Sequence, residues 1–158
     1  MLDNVALAVA ERTGVARRMW RSASSHKEIL EEGRSLLDAL GLADDAGTPA
    51  QDLPYGKQRL LEIALALALQ PKVLLLDEPA SGIPAGDSTE VFEVIAALPG
   101  DVTVLFIEHD MELVFRFAQR IAVLVDGRLL TEGTPAEIAA DPRVRDVYLG
   151  ETASEKLG

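Results

Sequence analysis

The sequence predicts an α/β fold in which a helical N-terminal part precedes alternating strands and helices. Two short apolar runs, Val73–Leu76 and Val102–Ile107, lack the alternation of a half-exposed strand. Such runs are typical of parallel strands buried on both faces. Further along, Asp126-Gly127 separates Ile121–Val125 from Arg128–Thr131, and an Asp-Gly pair between two strand-like runs predicts a hairpin.

The N-terminal part contains three predicted helices. The first covers the apolar stretch Leu2–Ala10. The second opens on a capping-box pattern, Ser25-x-x-Glu28, and ends at Gly41. After a loop rich in Asp, Gly and Pro, Leu60–Leu69 is apolar on nearly all sides, which predicts a buried helix.

A basic segment lies between the first two predicted helices. Residues 13–24 contain several arginines around Trp20. We interpret this segment as a mobile surface loop. The alternative is a contact close to a membrane, since a Trp among arginines suits an interface.

Helix-capping patterns predict where the helices of the C-terminal half begin. Asp87-x-x-Glu90 predicts the start of the helix that follows the first strand, and Asp110 predicts the cap of the next helix. Thr134-Pro135-x-Glu137 combines a cap, a proline at the first helical position and a box glutamate, so it predicts a short final helix.

Composition excludes several classes of function. The 158 residues carry a net charge of −11, and nucleic-acid partners are not expected because phosphate backbones select basic faces. The sequence contains no cysteine, which excludes disulfides and thiolate metal sites. No apolar run reaches the length of a membrane span, so a membrane role would be peripheral.

Two adjacent carboxylates follow the first predicted strand. Asp77 and Glu78 fall at its carboxyl end, which is where open α/β sheets place their chemistry. One can hold a metal ion while the other activates a water. His109 follows the second predicted strand between two acidic residues; a lone histidine there is more often structural.

These segments together resemble the nucleotide-binding subunit of an ABC transporter. Leu53–Lys57 resembles the signature motif, and Leu74–Asp77 with Glu78 resembles Walker B and the catalytic glutamate. Ser81–Pro84 falls where the D-loop lies, and His109 resembles the switch histidine. The resemblance implies a partial P-loop NTPase (RecA-like) core with parallel strands and a C-terminal hairpin, preceded by a helical subdomain. Residues 1–70 would form that subdomain and residues 71–158 the C-terminal part of the core.

The resemblance also implies roles. Asp77 would hold Mg²⁺ through water, Glu78 would polarise the attacking water, and His109 would contact the γ-phosphate of ATP. The start of the signature helix would meet the phosphates of ATP held by a second nucleotide-binding subunit, through Pro54, Tyr55, Gly56 and Lys57. An ordinary helix start is the alternative for these four residues.

Three positions depart from the family pattern. Pro54 replaces the usual serine, and its hydroxyl contact is therefore lost. Lys57 stands in the usual glutamine position and could add charge. Pro84 stands where the family often has aspartate or asparagine, which puts the usual D-loop contact in doubt.

No part of the sequence matches the P-loop pattern G-x-x-x-x-G-K-[ST]. We therefore expect a C-terminal part of a nucleotide-binding domain that begins at an internal methionine or a cloning boundary, inactive by itself. In the family's sheet the P-loop strand lies between two strands that correspond here to Val102–Ile107 and Ile121–Val125. The isolated chain is thus expected to be marginally stable, to self-associate or to pair these two strands directly.

Three segments, Leu53–Ala64, Ile107–Val114 and Asp141–Gly150, resemble those of branched-chain amino acid (Liv-type) importers, with urea or other amide-type relatives close by. This implies a peripheral subunit on the cytoplasmic face of the cell membrane, working with a second nucleotide-binding subunit and with membrane permease subunits. One alternative is an interaction module that supplies a signature motif without hydrolysing ATP. A non-transport ABC ATPase is the third possibility, disfavoured by the acidic charge.

Overall fold

The computed structural model describes residues 1–15 and 23–147. These residues form two compact units, Met1–Glu108 and the part that begins at His109. The segment around Trp20, interpreted above as a loop or a membrane contact, lies outside the described residues. Among the helices that are described, none has the length and apolar character that a bilayer crossing needs.

The described residues of the first unit form four α-helices and two strands. The helices are α1 (Leu2–Arg12), α2 (Ala23–Ala39), α3 (Tyr55–Leu67) and α4 (Ala85–Ala96). The strands are β1 (Val73–Asp77) and β2 (Thr103–Ile107). Two short 3₁₀ turns, Ala43–Asp45 and Ala50–Asp52, lie between α2 and α3.

The helical part is built around α1, which packs against both α2 and α3. Val5 and Val9 of α1 are fully buried, together with Leu37 of α2 and Ala64 of α3. The Arg12 guanidinium joins the three helices: its Nε donates to the carbonyl of Ala68 at 2.8 Å and its Nη2 pairs with Glu32 at 2.5 Å. The predicted buried helix over Leu60–Leu69 is confirmed for the core-facing residues of α3, but the helix ends at Leu67 and Leu69 is exposed.

Two of the predicted helix starts are wrong by a few residues. Ser25 lies inside α2, which already includes Ala23, so it does not cap that helix. The helix α4 starts at Ala85 after Pro84, and Asp87 lies in its first turn. The backbone of Pro84 (φ −55°, ψ 143°) already has the extended conformation of an N-cap, and this moves the start ahead of the Asp87 pattern.

Gly41 terminates helix α2, as the sequence predicts. Gly41 has φ +69°, and its N–H donates to the Asp38 carbonyl at 3.0 Å. The Leu42 N–H donates to the Leu37 carbonyl at 2.8 Å. These two bonds define a Schellman motif, in which glycine adopts the left-handed conformation at low cost.

The strands β1 and β2 pair in parallel, with Leu74 opposite Val104 and Asp77 opposite Ile107. This confirms the predicted parallel strands, but the prediction that both faces are buried is wrong. Leu74 is only 5% exposed and packs into the helical core, whereas its neighbour Leu75 is 69% exposed. The apolar side chains that alternate with buried Leu74 and with half-buried Leu76, Val104 and Phe106 form an exposed face: Val73, Leu75, Leu105 and Ile107. The helices of this unit cover one side of the sheet only.

The second unit contains α5 (Met111–Phe117), β3 (Ile121–Val125), β4 (Arg128–Gly133) and α6 (Pro135–Ala140). The strands form an antiparallel hairpin whose turn residues Asp126 and Gly127 have φ +49° and +72°. Two positive φ values are those of a type I′ turn, so the predicted hairpin is confirmed. Within the described ranges β2 pairs with β1 and β3 with β4, so the direct pairing considered above does not form.

Both predicted caps of the second unit are confirmed. Asp110 Oδ1 accepts from the Glu112 N–H at 2.9 Å and caps α5. Thr134 and Glu137 form a reciprocal capping box at the start of α6. The hydrogen bond from the Thr134 N–H lowers the pKa of the Glu137 carboxyl below its usual value.

Leu74 and Leu75 provide a test of the one-sided sheet. Leu74→Ala should lower the free energy of unfolding by about 2–5 kcal/mol, because it removes buried methyl groups and leaves a cavity. Leu75→Ala, one residue along the same strand, should change it by less than about 0.5 kcal/mol. Urea denaturation of both variants measures the difference. Equal losses would show that both faces of β1 are buried.

Candidate functional site

The candidate site is built on the carboxyl end of β1, where Asp77 and Glu78 lie exposed side by side in the chain. The Glu78 N–H donates to the Ile107 carbonyl at 2.9 Å, which extends the parallel pairing one residue past β1. Glu78 has φ +44°, a left-handed conformation that costs a non-glycine residue roughly 1–2 kcal/mol. The chain therefore turns sharply at the residue predicted to activate water.

A short loop, residues 79–84, follows Glu78 and leads into α4. The Ser81 N–H donates to the Glu78 carbonyl at 3.0 Å, and the Ile83 N–H donates to the Ala80 carbonyl at 3.1 Å. The Ala80 N–H donates to Oε1 of Glu108 at 2.8 Å. This last bond joins the loop to the residue that directly follows β2, so the ends of both strands shape the same turn.

The start of α3 lies against this loop. Pro54 is the N-cap residue, and no side chain caps the helix. A Cβ built on Gly82, whose φ is +76°, would lie 3.2 Å from Cε1 of Tyr55. A Cβ on Gly56 would lie 3.8 Å from Cγ2 of Ile83, an ordinary contact distance. The structure thus brings the signature segment and the loop after Glu78 together within the first unit.

Lys57 is engaged inside the chain. Its Nζ lies 2.5 Å from Oδ2 of Asp45, and this hydrogen bond raises the pKa of the lysine above its usual value. Any charge that Lys57 contributes to a phosphate would therefore be shared with a carboxylate. The contribution of Lys57 to phosphate binding stays a prediction.

His109 is the first residue of the second unit and is exposed. It precedes Asp110, whose carboxylate is occupied in capping α5. Asp77, Glu78 and the start of α3 all belong to the first unit. The assignment of His109 as a phosphate sensor, like the other site assignments, stays a prediction.

The carboxylates fit a magnesium ion held mainly by water and substrate oxygens. The described residues contain no group of three or more His, Cys, Asp or Glu that could enclose a metal. Mg²⁺ usually keeps several waters and takes one or two carboxylates in addition to substrate phosphates. Asp77 and Glu78 are exposed carboxylates of the kind that such an open site needs, and the magnesium role of Asp77 stays a prediction.

Sequence patterns did not single out three residues that shape the site. Glu108 holds the loop, Gly82 admits the Tyr55 ring, and Asp45 pairs with Lys57. A signal existed for Glu108 alone: it follows a strand parallel to β1, and the carboxyl ends of parallel strands share one sheet edge.

Comparison with known families agrees with this geometry. Residues 4–81 match the family model described as "ABC transporter", and residues 128–154 match the one described as "Branched-chain amino acid ATP-binding cassette transporter". The first match includes the start of α3, β1 and Glu78. Over these segments the chain is similar to the ABC transporter ATP-binding proteins.

The relatives point to a subgroup within that family. The chain is 43% identical over 129 residues to the high-affinity branched-chain amino acid transport ATP-binding protein LivG of Salmonella typhimurium; the match covers 80% of this chain and 51% of that protein. Against LivG of Escherichia coli K12 it is 37% identical, covering 96% of this chain and 62% of the relative. The chain thus spans about half to three fifths of the length of these relatives.

A solved structure shows the same fold. An ATP-binding cassette of an ABC transporter superimposes with a TM-score of 0.73 at 25% identity, over 92% of this chain and 61% of the other. The predicted fold class, a partial ABC-type core, is confirmed by this likeness.

Gly82→Ala should disturb the loop that follows Glu78. Its φ of +76° disfavours a side chain, and the new Cβ would press on the Tyr55 ring. We expect a loss of roughly 1–2 kcal/mol in the free energy of unfolding. Gly86→Ala is the matched control: a Cβ there meets nothing within 4 Å and helix α4 favours alanine. A neutral Gly82→Ala in urea denaturation would contradict the tight loop.

Proposed function

We propose that this chain is the C-terminal part of an ATP-hydrolysing subunit that powers an ABC importer for branched-chain or related amino acids. The observation that carries the proposal is the meeting of three features in one unit: Asp77 and Glu78 at the end of β1, the sharp turn after them, and the start of α3 packed against that turn. The family matches and the branched-chain relatives support the same assignment.

The chemistry proposed for this site is phosphoryl transfer to water, which depends on positioning and on charge. Mg²⁺ bound with ATP would neutralise charge on the phosphates. Asp77 would hold the hydrated ion through its carboxylate. Glu78 accepts a hydrogen bond from the attacking water and orients it, and His109 contacts the terminal phosphate.

The start of α3 supplies a different function, recognition of phosphate. The first N–H groups of a helix lack intrahelical partners and, together with the helix dipole, favour an anion. Pro54 offers no N–H or hydroxyl, so the contacts come from the backbone of Gly56 and its neighbours. Because this segment serves ATP held by a second nucleotide-binding subunit, the proposed state is a dimer beneath membrane permease subunits, on the cytoplasmic face.

A second candidate is an interaction module that lends its signature segment to a complete ABC ATPase without hydrolysing ATP. The start of α3, which no side chain caps, is the feature that such a module would use. The effect of changing Glu78 distinguishes the two candidate functions. Activity of such a module would depend on the start of α3 and would be indifferent to Glu78.

Glu78→Gln tests hydrolysis. The protein to use is a fusion in which the P-loop-bearing segment of a branched-chain amino acid relative precedes these residues, called the P-loop fusion below. Turnover of Mg-ATP should fall by about 10²–10⁴-fold, the usual contribution of a general base. ATP binding should persist, because the amide retains the shape of the side chain.

Glu11→Gln, at an exposed position near the end of α1, is the matched control and should leave turnover unchanged. A Glu78→Gln fusion that hydrolyses ATP at the parent rate would refute the role of Glu78.

Isothermal calorimetry of the 158 residues alone tests the need for a P-loop. Most contacts to a triphosphate come from the P-loop backbone and lysine. Mg-ATP at micromolar concentration should therefore produce no binding heat. Micromolar affinity of the 158-residue chain would show that its own residues form a complete nucleotide site.

A further inference from the structure

The carboxylate of Glu108 accepts a hydrogen bond from the loop that follows Glu78. The inference rests on the proposed function, because it concerns the alignment of the residue proposed to activate water. Glu108 directly follows β2, and its Oε1 accepts from the Ala80 N–H at 2.8 Å across 28 residues of sequence.

Two hydrogen bonds from the end of β2 bracket the turn. The Ile107 carbonyl accepts from the Glu78 N–H at 2.9 Å, and the Glu108 carboxylate accepts from the Ala80 N–H. The residue between them, Pro79, has no N–H to donate. The N–H groups of Glu78 and Ala80 are therefore both hydrogen-bonded to the end of β2, one to Ile107 and the other to Glu108.

The backbone of Glu78 needs such a constraint. A left-handed non-glycine residue persists only where the surrounding structure imposes it, and Glu78 has φ +44°. The Ile107 bond fixes the residue on its N-terminal side. The Glu108 bond fixes the chain two residues later, and a charged acceptor makes that bond roughly twice as strong as a neutral one.

We propose that Glu108 is a positioning residue for ATP hydrolysis. Its carboxylate holds the Ala80 N–H, keeps the turn at Glu78 in its left-handed conformation and thereby aims the Glu78 carboxylate at the attacking water. Glu108 itself makes no contact with ATP in this proposal.

The kinetic test compares Glu108→Ala with Glu108→Gln in the P-loop fusion. Misplacement of a catalytic group by about 1 Å can cost on the order of 100-fold, so Glu108→Ala should lower kcat by about 10- to 100-fold. KM for ATP should stay near the parent value, because no ATP contact is removed. Glu108→Gln should restore most of kcat, since its amide oxygen still accepts from Ala80. Glu112→Ala, at an exposed position on α5, should behave as the parent.

A second measurement reports the hydrogen bond directly and needs no activity. In the 158-residue chain, amide hydrogen exchange followed by NMR should be roughly fivefold or more faster at Ala80 in Glu108→Ala, and near the parent rate in Glu108→Gln. The amide of Val114, bonded to the Asp110 carbonyl, should keep its rate. Faster exchange at both amides would show general unfolding and would contradict a local role.

The outcomes separate the two proposals. Unchanged Ala80 exchange in Glu108→Ala, or faster exchange with an unchanged kcat, would overturn the positioning role. A rise in KM as large as the fall in kcat would place Glu108 in ATP binding instead and would also overturn it. A native P-loop fusion that hydrolyses no ATP would refute the proposed function, and the catalytic part of this inference with it, while the Ala80 measurement would still decide the contact.

Discussion

The parallel pairing of β1 with β2 is the interaction on which the rest of the candidate site depends. Its register sets Asp77 opposite Ile107, so both strands end at the same level. The next residues, Glu78 and Glu108, are then close enough for the end of β2 to hold the turn that follows β1. A slip of one residue would turn the buried Leu74 and the half-buried Leu76 to the exposed face and would move the two strand ends out of level.

The features predicted correctly from the sequence are mostly local. The Asp110 cap, the Thr134 capping box and the Asp126-Gly127 turn each join residues within four positions of one another, so the pattern contains both partners. The predictions that failed involve competition or distant packing. Helix α2 starts before Ser25, so Ser25 does not cap it. Pro84 has the extended backbone of an N-cap, so α4 starts before Asp87.

The residues of the candidate site also fall into two groups: those that a local sequence pattern reveals and those that act through contacts distant in the chain. Asp77 and Glu78 stand out because a carboxylate pair after an apolar strand is visible in the sequence. Glu108, Gly82 and Asp45 act through contacts with Ala80, Tyr55 and Lys57, whose distance along the chain hides them from any local pattern. The ion pair with Asp45 also changes the expected contribution of Lys57, because a lysine that already has a carboxylate partner has less to gain from a phosphate.

The one-sided burial of the β1–β2 sheet connects stability to function. Parallel sheets of α/β proteins are normally covered on both faces, yet Leu75 and Ile107 here are 69% and 64% exposed. The same two strands carry the catalytic candidates at their ends. Any segment that covered the exposed face would bury apolar surface at roughly 25 cal/mol per Å² and would stabilise the register that aligns Asp77, Glu78 and Glu108. Packing on one face of the sheet and alignment of the carboxylates at its edge are therefore coupled through the same backbone hydrogen bonds.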